Sequence, residues 1–357
     1  MENHALFYPS VPSFRSDNNA GLVPEAALAL AELARADHVI AYGDDPDTAR
    51  ATQAFRSIFG AETEVFFVAT GTAANTLAIA SLTRPFERVL CHDHAHWCRD
   101  ESTAPERLTN CRTHAIPTSA AKLTPDDLRR AADTGRGDVH EPQPGVVTLS
   151  NPTELGVSYT PAETAALAET AHSLGFRVHV DGARFANTVA FLGVDPRALT
   201  VDAGVDALSF GGTKNGLAFG EAVLFFRQGD GRVFERAVHE FPFHRKSTGH
   251  LLSKHRFASA PFAAVLEQGA WLRHADHANA MARRLASGLA ALGHAPGFPV
   301  ESNGVFVSLP DAVVERLRER GHQFYGFGEP SWRMVRLMTS FDTPAEAVDA
   351  LLADVRG

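Results

Sequence analysis

Three short stretches of this 357-residue chain carry side chains whose type and spacing suit one kind of chemistry. Thr70-Gly71-Thr72-Ala73 follows an apolar run and opens an Ala/Leu-rich stretch. Free backbone N–H groups at such a helix start, with the helix dipole, suit a phosphate. Asp181-Gly182-Ala183-Arg184 ends a second apolar run. A carboxylate there is costly without a cationic partner, which a protonated ring nitrogen or Arg184 itself would supply. Ser209-Phe210-Gly211-Gly212-Thr213-Lys214-Asn215-Gly216 closes a third. A lysine on a tight loop at a strand end can form a Schiff base with a carbonyl. Each stretch alone has a plainer reading: an ordinary strand-to-helix turn, an Asp–Arg ion pair, a phosphate-binding lysine. The lysine loop lacks the spacing of a nucleotide-binding P-loop. Taken together, a phosphate cup, an acid for a pyridinium nitrogen and an imine-forming lysine are the three handles of pyridoxal 5'-phosphate (PLP).

These groups must be positioned by a sheet. Short continuous apolar runs recur at Val65–Ala69, Arg88–Cys91, Val146–Leu149, Arg177–Val180, Ala207–Phe210 and Ala222–Phe226, as strands buried on both faces do. Helical stretches lie between them, among them 72–82 and 160–174, the latter opening with the capping pattern Thr160-Pro-Ala-Glu163. The alternation predicts an α/β fold with a mainly parallel central sheet flanked by helices. From about Glu267 a long helical segment leads to a second group (304–309, 312–320 and 333–338), expected to be a smaller α+β C-terminal domain. The expected division is 1–17 as an N-terminal segment packing on the small domain or a neighbouring subunit, 18–265 as the large cofactor-binding domain, and 266–357 as linking helix and small domain. The first fifty residues, with Pro9, Pro12 and Pro24, read as irregular.

Composition narrows the classes. With 33 Lys+Arg against 42 Asp+Glu the net charge is −9, which gives no electrostatic reason to expect nucleic acid or an anionic membrane as partner. Apolar residues at 45% exclude a disordered chain, and no apolar run approaches the roughly 20 residues that span a bilayer. The N-terminus lacks the pattern of a signal peptide, and 3 cysteines cannot make a complete disulfide framework, so the expected location is the cytoplasm. The 17 histidines raise a metal question, sharpest at His92, His94 and His96, which share one face of an extended strand. Nothing nearby completes a ligand set, so no metal is expected. Asp100 and Glu101 follow within a turn and either orient that region or form a solvated face.

The chain resembles the L-threonine aldolase family, in the β-eliminating-lyase group of fold-type-I PLP enzymes. The resemblance runs through Phe14-Arg15-Ser16-Asp17-Asn18, Ala41-Tyr42-Gly43-Asp44-Asp45, Gly71-Thr72-Ala73-Ala74-Asn75, His179-Val180-Asp181-Gly182-Ala183-Arg184-Phe185, the Lys214 loop and Arg336-Leu337-Met338-Thr339. The Phe-Gly-Gly-Thr-Lys-Asn-Gly form of the loop, with Ala104-Pro105-Glu106 and Gly269-Ala270-Trp271-Leu272-Arg273, resembles the low-specificity branch that includes phenylserine aldolases. It departs from the Leu-Ser-Lys-Gly form of other threonine aldolases but keeps the lysine. The resemblance implies that Lys214 holds PLP, that Asp181 pairs with its ring nitrogen, and that Gly71 and Thr72 hold its phosphate, helped by Arg256 of an adjacent subunit. It implies that Ser16, Arg184 and Arg336 grip the substrate carboxylate, that His96 stacks on the ring, and that His140 approaches the β-hydroxyl. His140, His96 or an ordered water could then be the base. The implied reaction is reversible cleavage of L-threonine, L-allo-threonine and related β-hydroxy-α-amino acids to glycine and an aldehyde, in a homotetramer. Another PLP-dependent lyase, transaminase or racemase activity on the same scaffold is the alternative.

Overall fold

The computed structural model describes residues 13–132, 137–328 and 332–357. Among them are seven strands of a central sheet: β1 (Glu64–Val68), β2 (Glu87–His92), β3 (Arg112–Ile116), β4 (Gln143–Ser150), β5 (Arg177–Gly182), β6 (Ala207–Phe210) and β7 (Glu221–Phe225). Their order is β1-β7-β6-β5-β4-β2-β3. Only β7 runs against its neighbours; β6, β5, β4, β2 and β3 are parallel. A smaller sheet, ordered β8-β10-β9, is made by β8 (Gly304–Ser308), β9 (Tyr325–Phe327) and β10 (Met334–Met338). The continuous apolar runs are all strands of this sheet, β1 at one edge and the others inside it, and β2, β6 and β7 are buried along their whole length. β3 carries no such run. It is an edge strand, Arg112-Thr-His-Ala-Ile116, exposed or half-exposed except at Ile116, so its sequence has no reason to be apolar.

Helices cover both faces. The Gly71–Leu82 helix is buried from Ala73 to Leu82, which accounts for its uniformly small apolar text without an amphipathic stripe. On the opposite face Phe55, fully buried, packs its ring against those of Phe59, Phe67, Phe210 and Phe262 at centroid separations of 5.1–6.3 Å. The Pro161–Ser173 helix has the capping box expected of it, Thr160 and Glu163 each bonding the other's backbone N–H. The first fifty residues are more regular than their prolines suggested. Pro24 and Pro46 stand at the first position of the helices Pro24–Leu33 and Pro46–Phe59, where a proline starts a helix instead of breaking it. Pro9 and Pro12 lie outside the described residues.

A third core lies against the small sheet, where Val305, Val307, Val335 and Leu337 pack with Leu285 and Leu289 of the Ala270–Ala291 helix and with Phe14. Phe14 reaches it because its backbone bonds both ways, N–H to the Gln323 carbonyl (2.9 Å) and C=O from the Met338 N–H (2.8 Å). The long helical segment expected from about Glu267 is the helix Ala270–Ala291, and a separate helix, Arg256–Glu267, precedes it. They are parted at Gly269, whose φ of 63° is left-handed.

For function the register matters most. Ser150 of β4, Asp181 of β5 and Ser209 of β6 are paired in one row at the carboxyl ends of the parallel strands, where open α/β sheets hold ligands. Truncating Phe55→Ala opens a hole in the aromatic layer beneath that row. It should cost about 3–5 kcal/mol, read as a lower midpoint in urea unfolding.

Candidate active site

Asp181 ends β5 with its carboxylate facing a cavity of about 440 Å³ that Thr70, Gly71, Thr72, His96 and Lys214 also line. Its oxygens are held apart by two donors: Asn75 Nδ2 on Oδ2 (2.9 Å) and the Ala183 N–H on Oδ1 (3.0 Å). Burial alone would push this acid up, but the nearby His96 and Lys214 charges and the Ala183 N–H keep it below its ordinary value. Asn75 also donates to Glu101 Oε1 (3.1 Å), and the same oxygen meets His96 Nδ1 at 2.9 Å. Glu101, only 3% exposed, is thus a buried anion whose bond to His96 raises the imidazole's pKa against the opposing effect of burial. One residue pair below Asp181, His179 spans two strands, Nδ1 to Thr148 Oγ1 and Nε2 to Ser209 Oγ, both at 2.9 Å. Burial pushes it down to about 4, so it stays neutral beneath the charged row.

Lys214 lies in a short 3₁₀ turn, Thr213–Asn215, directly after β6. Its two glycines are there for space. A Cβ on Gly211 would come 2.1 Å from the Ala183 carbonyl oxygen, and one on Gly212 would come 2.3 Å from that of Gly220. The Gly212 N–H donates to Glu221 Oε2 at 2.5 Å, and burial pushes Glu221 up to about 7. Burial, reinforced by the Arg184 charge, lowers the Lys214 amine, which favours the neutral, nucleophilic form. Opposite, the Gly71–Leu82 helix begins with Thr70 as its cap, Oγ1 accepting from the Ala73 N–H (3.3 Å), and open space lies where a Gly71 Cβ would stand.

A second cavity, about 480 Å³, adjoins at His96 and Lys214 and is lined by Ser16, Arg184 and Arg336. The two arginines differ. Arg184 already holds a carboxylate: Nε and Nη2 bond Asp17 Oδ2 (2.6 Å) and Oδ1 (2.8 Å). That pair uses the N–H of Nε and one of Nη2, and the end-on N–H groups of Nη1 and Nη2 are left for a substrate carboxylate. Arg336, on β10, lies over the Tyr325 ring (5.6 Å) with its Nε buried and unbonded, and no carboxylate among the described residues pairs with it. It is the guanidinium free for an anion. Ser16 caps the Asp17–Asn19 turn, its Oγ accepting from the Asn18 N–H (3.2 Å).

Two expected site residues are not brought here by the chain's own fold. His140 is exposed in the turn before β4, its N–H bonded to Asp138 Oδ1 (2.9 Å). A residue entering a parallel strand lies at the amino edge of the sheet, and the cavities are at the carboxyl edge, so within one chain it is not the base. Arg256 is half-buried at the start of its helix, 3.4 Å from the Asp37 carbonyl, and lines a separate surface cavity. The other histidines of the tract turn to other partners: His92 Nε2 meets the Ala120 carbonyl (2.9 Å), while the His94 ring lies tilted between those of His92 (5.6 Å) and Trp332 (5.3 Å). Among the described residues no group of three or more His, Cys, Asp or Glu is placed to hold a metal, and no helix is long and apolar enough to cross a membrane. Four site residues had no role assigned from sequence: Asp17, Asn75, Glu154 and Glu221. Asn75 had a signal, being one of the few polar side chains in an otherwise apolar, fully buried helix.

A deeply set acid, a lysine on the turn that follows the neighbouring strand and a helix N-terminus around one cavity match the class of fold-type-I PLP enzymes. Solved structures agree on the fold: threonine aldolase of Leishmania major superposes with a TM-score of 0.89 over 97% of this chain and 99% of that one, at 24% identity. A serine palmitoyltransferase with its PLP internal aldimine gives 0.68 over 96% and 86%, at 17% identity. The β-eliminating lyase family model matches residues 13–312, and the chain belongs to that family. It is 47% identical over 349 residues, 96% of each chain, to a low specificity L-threonine aldolase of Pseudomonas aeruginosa. It is 26% identical to one of Saccharomyces cerevisiae, over 85% of this chain and 76% of that one.

Two outcomes follow from this geometry. Asp17→Asn strands the Arg184 guanidinium without its anion and should cost about 3–5 kcal/mol in chemical unfolding. Glu101→Gln removes the charge that raises His96, so the His96 titration followed by NMR should move to lower pH. Because the folded value stands above the unfolded one, the stability from this pair is full in acid and fades as pH rises through the folded value. That fading should be absent in the variant.

Proposed function

We propose that this chain is a PLP-dependent aldolase that reversibly cleaves L-threonine, L-allo-threonine and related β-hydroxy-α-amino acids, L-phenylserine among them, to glycine and an aldehyde. One observation carries the reading: the Lys214 and Asp181 cavity opens into a second cavity whose Arg336 guanidinium has no carboxylate of its own. The relatives named as low specificity L-threonine aldolases support it.

The residues fit the cofactor. Asp181 is a buried anion with no cation within salt-bridge distance among the described residues, and a protonated pyridine nitrogen would complete it. When bound, PLP supplies an electron sink for the pair left on the α-carbon. Lys214 is its covalent anchor, made reactive by burial. Gly71 and Thr72 offer N–H groups to the phosphate, and His96, braced by Glu101, flanks the ring. Arg336 and Ser16 seat the substrate carboxylate, with Arg184 adding its end-on N–H groups and the firmness of its Asp17 bond. Holding the carboxylate and amine fixes which bond at the α-carbon is aligned for cleavage, which makes Arg336 a determinant of reaction type. No arginine lines the cavity that holds the phosphate cup, and Arg256 of a second subunit, within a homotetramer, is the one we assign to it. Three free thiols suit a reducing cytoplasm.

Lys214→Ala should lose both the visible absorption of the bound cofactor and aldehyde release, by a factor of about 10³ or more. Incubation with L-threonine, L-allo-threonine and L-phenylserine tests the class: keto acid or ammonia without any aldehyde would overturn it. Arg256→Ala should weaken PLP retention on dialysis, and unchanged retention would remove Arg256 from the site.

A further inference from the structure

Glu154 lies in the loop after β4, in the wall of the Arg336 cavity. Its Oε1 accepts from Ser150 Oγ (2.6 Å) and from the His96 backbone N–H (2.7 Å). Both donors meet one oxygen, which leaves Oε2 for the cavity, and no cation forms a salt bridge with this carboxylate among the described residues. A β-hydroxy amino acid with its amine at Lys214 and its carboxylate on Arg336 must lay its β-carbon in the space between them, which this wall bounds.

We propose that Glu154 takes the β-hydroxyl proton in cleavage and returns it in synthesis, a role that rests on the aldolase reading above. In the forward step the O–H bond breaks toward Glu154 as the aldehyde C=O forms and the Cα–Cβ bond opens. The electron pair is left on the α-carbon, where bound PLP would stabilise it, and a proton taken up there from water gives glycine. Glu154 then releases its proton to water in the open cavity. No oxidant or reductant is needed.

The surroundings suit a base. Burial first, then the Asp181 charge, push the Glu154 carboxyl above its ordinary range, against its two hydrogen bonds, toward the pH where a carboxylate is an effective proton acceptor. Arg184 and Lys214 face it across the cavity, and Tyr159, Cys91 and Cys98 stand within electrostatic reach. His94, Arg99 and Asp100 line the same rim, with Arg99 and Asp100 exposed. His96 is less suited, because its bond to Glu101 favours the protonated ring.

The test uses the PLP-loaded enzyme and Glu154→Gln, whose amide oxygen can still accept from Ser150 and His96. Aldehyde release is measured against pH, and exchange of the glycine α-hydrogen into D₂O is followed by NMR as a reaction that needs no β-hydroxyl base. The expected result is a loss of about 10²-fold in kcat for cleavage, with KM and glycine exchange within about twofold of the parent enzyme. The rise of kcat with pH on the acid side should also vanish. Glu154→Asp, which keeps a carboxyl, should restore that acid limb. Cleavage and exchange falling together, or the acid limb surviving in Glu154→Gln, would overturn the proposal. Parent enzyme that exchanges no glycine hydrogen and releases no aldehyde would instead overturn the aldolase reading on which it rests.

Discussion

A carboxylate withdrawn from water at the end of a strand must be compensated, and the site is organised around that requirement at Asp181. Two neutral donors, Asn75 Nδ2 and the Ala183 N–H, fix its oxygens without neutralising it. The charge is left to be balanced from the cavity side by His96, Lys214 and whatever cation the cavity holds. Much of the local fold serves this. The Gly71–Leu82 helix carries an amide into its buried face, and the β5–β6 pairing sets Ser209 beside the acid. The glycines at 211 and 212 let the lysine turn pass close over the Ala183 and Gly220 carbonyls. Below the row, a neutral His179 meets a hydroxyl on each of the two neighbouring strands without adding a competing charge.

Positive charge is divided as deliberately as negative. Arg184 is paired with Asp17 and acts as a fixed wall, whereas Arg336 keeps an unbonded, buried Nε. A guanidinium whose Nε is buried without a partner is unfavourable in the free protein, and an arriving carboxylate relieves it. Specificity for an amino acid is thereby written partly as a defect in the ligand-free cavity.

The sheet is legible because its central strands are buried on both faces, and a continuous apolar run as short as Ala222–Phe226 between turn residues suits little but a buried strand. The edge strand β3 and the short β9 carry no such mark, since they are largely solvated. Lys214, Asp181 and Gly71 stand out because each breaks an apolar run at a strand end or helix start. Chain order places a residue along a motif but not at one edge of the sheet or the other, and so it groups His140 and Arg256 with a cavity that their own chain does not bring them to. Glu154, Glu101 and Glu221 are harder still. A glutamate in text looks like surface, and only the assembled fold shows that these three are withdrawn from water.

Asp17 has a further consequence for how the protein comes into being. Its carboxylate also accepts from Asn303 Nδ2, a partner 286 residues away, and Phe14 is held between Gln323 and Met338. A segment made early is thus locked by segments made some 290 to 320 residues later. The large sheet can form while synthesis continues, but the arginine wall of the cavity cannot be completed until the smaller sheet has emerged and folded. A nascent chain would carry its lysine turn well before it carries a finished seat for substrate, so maturation of the site is a late, long-range event in the life of each molecule.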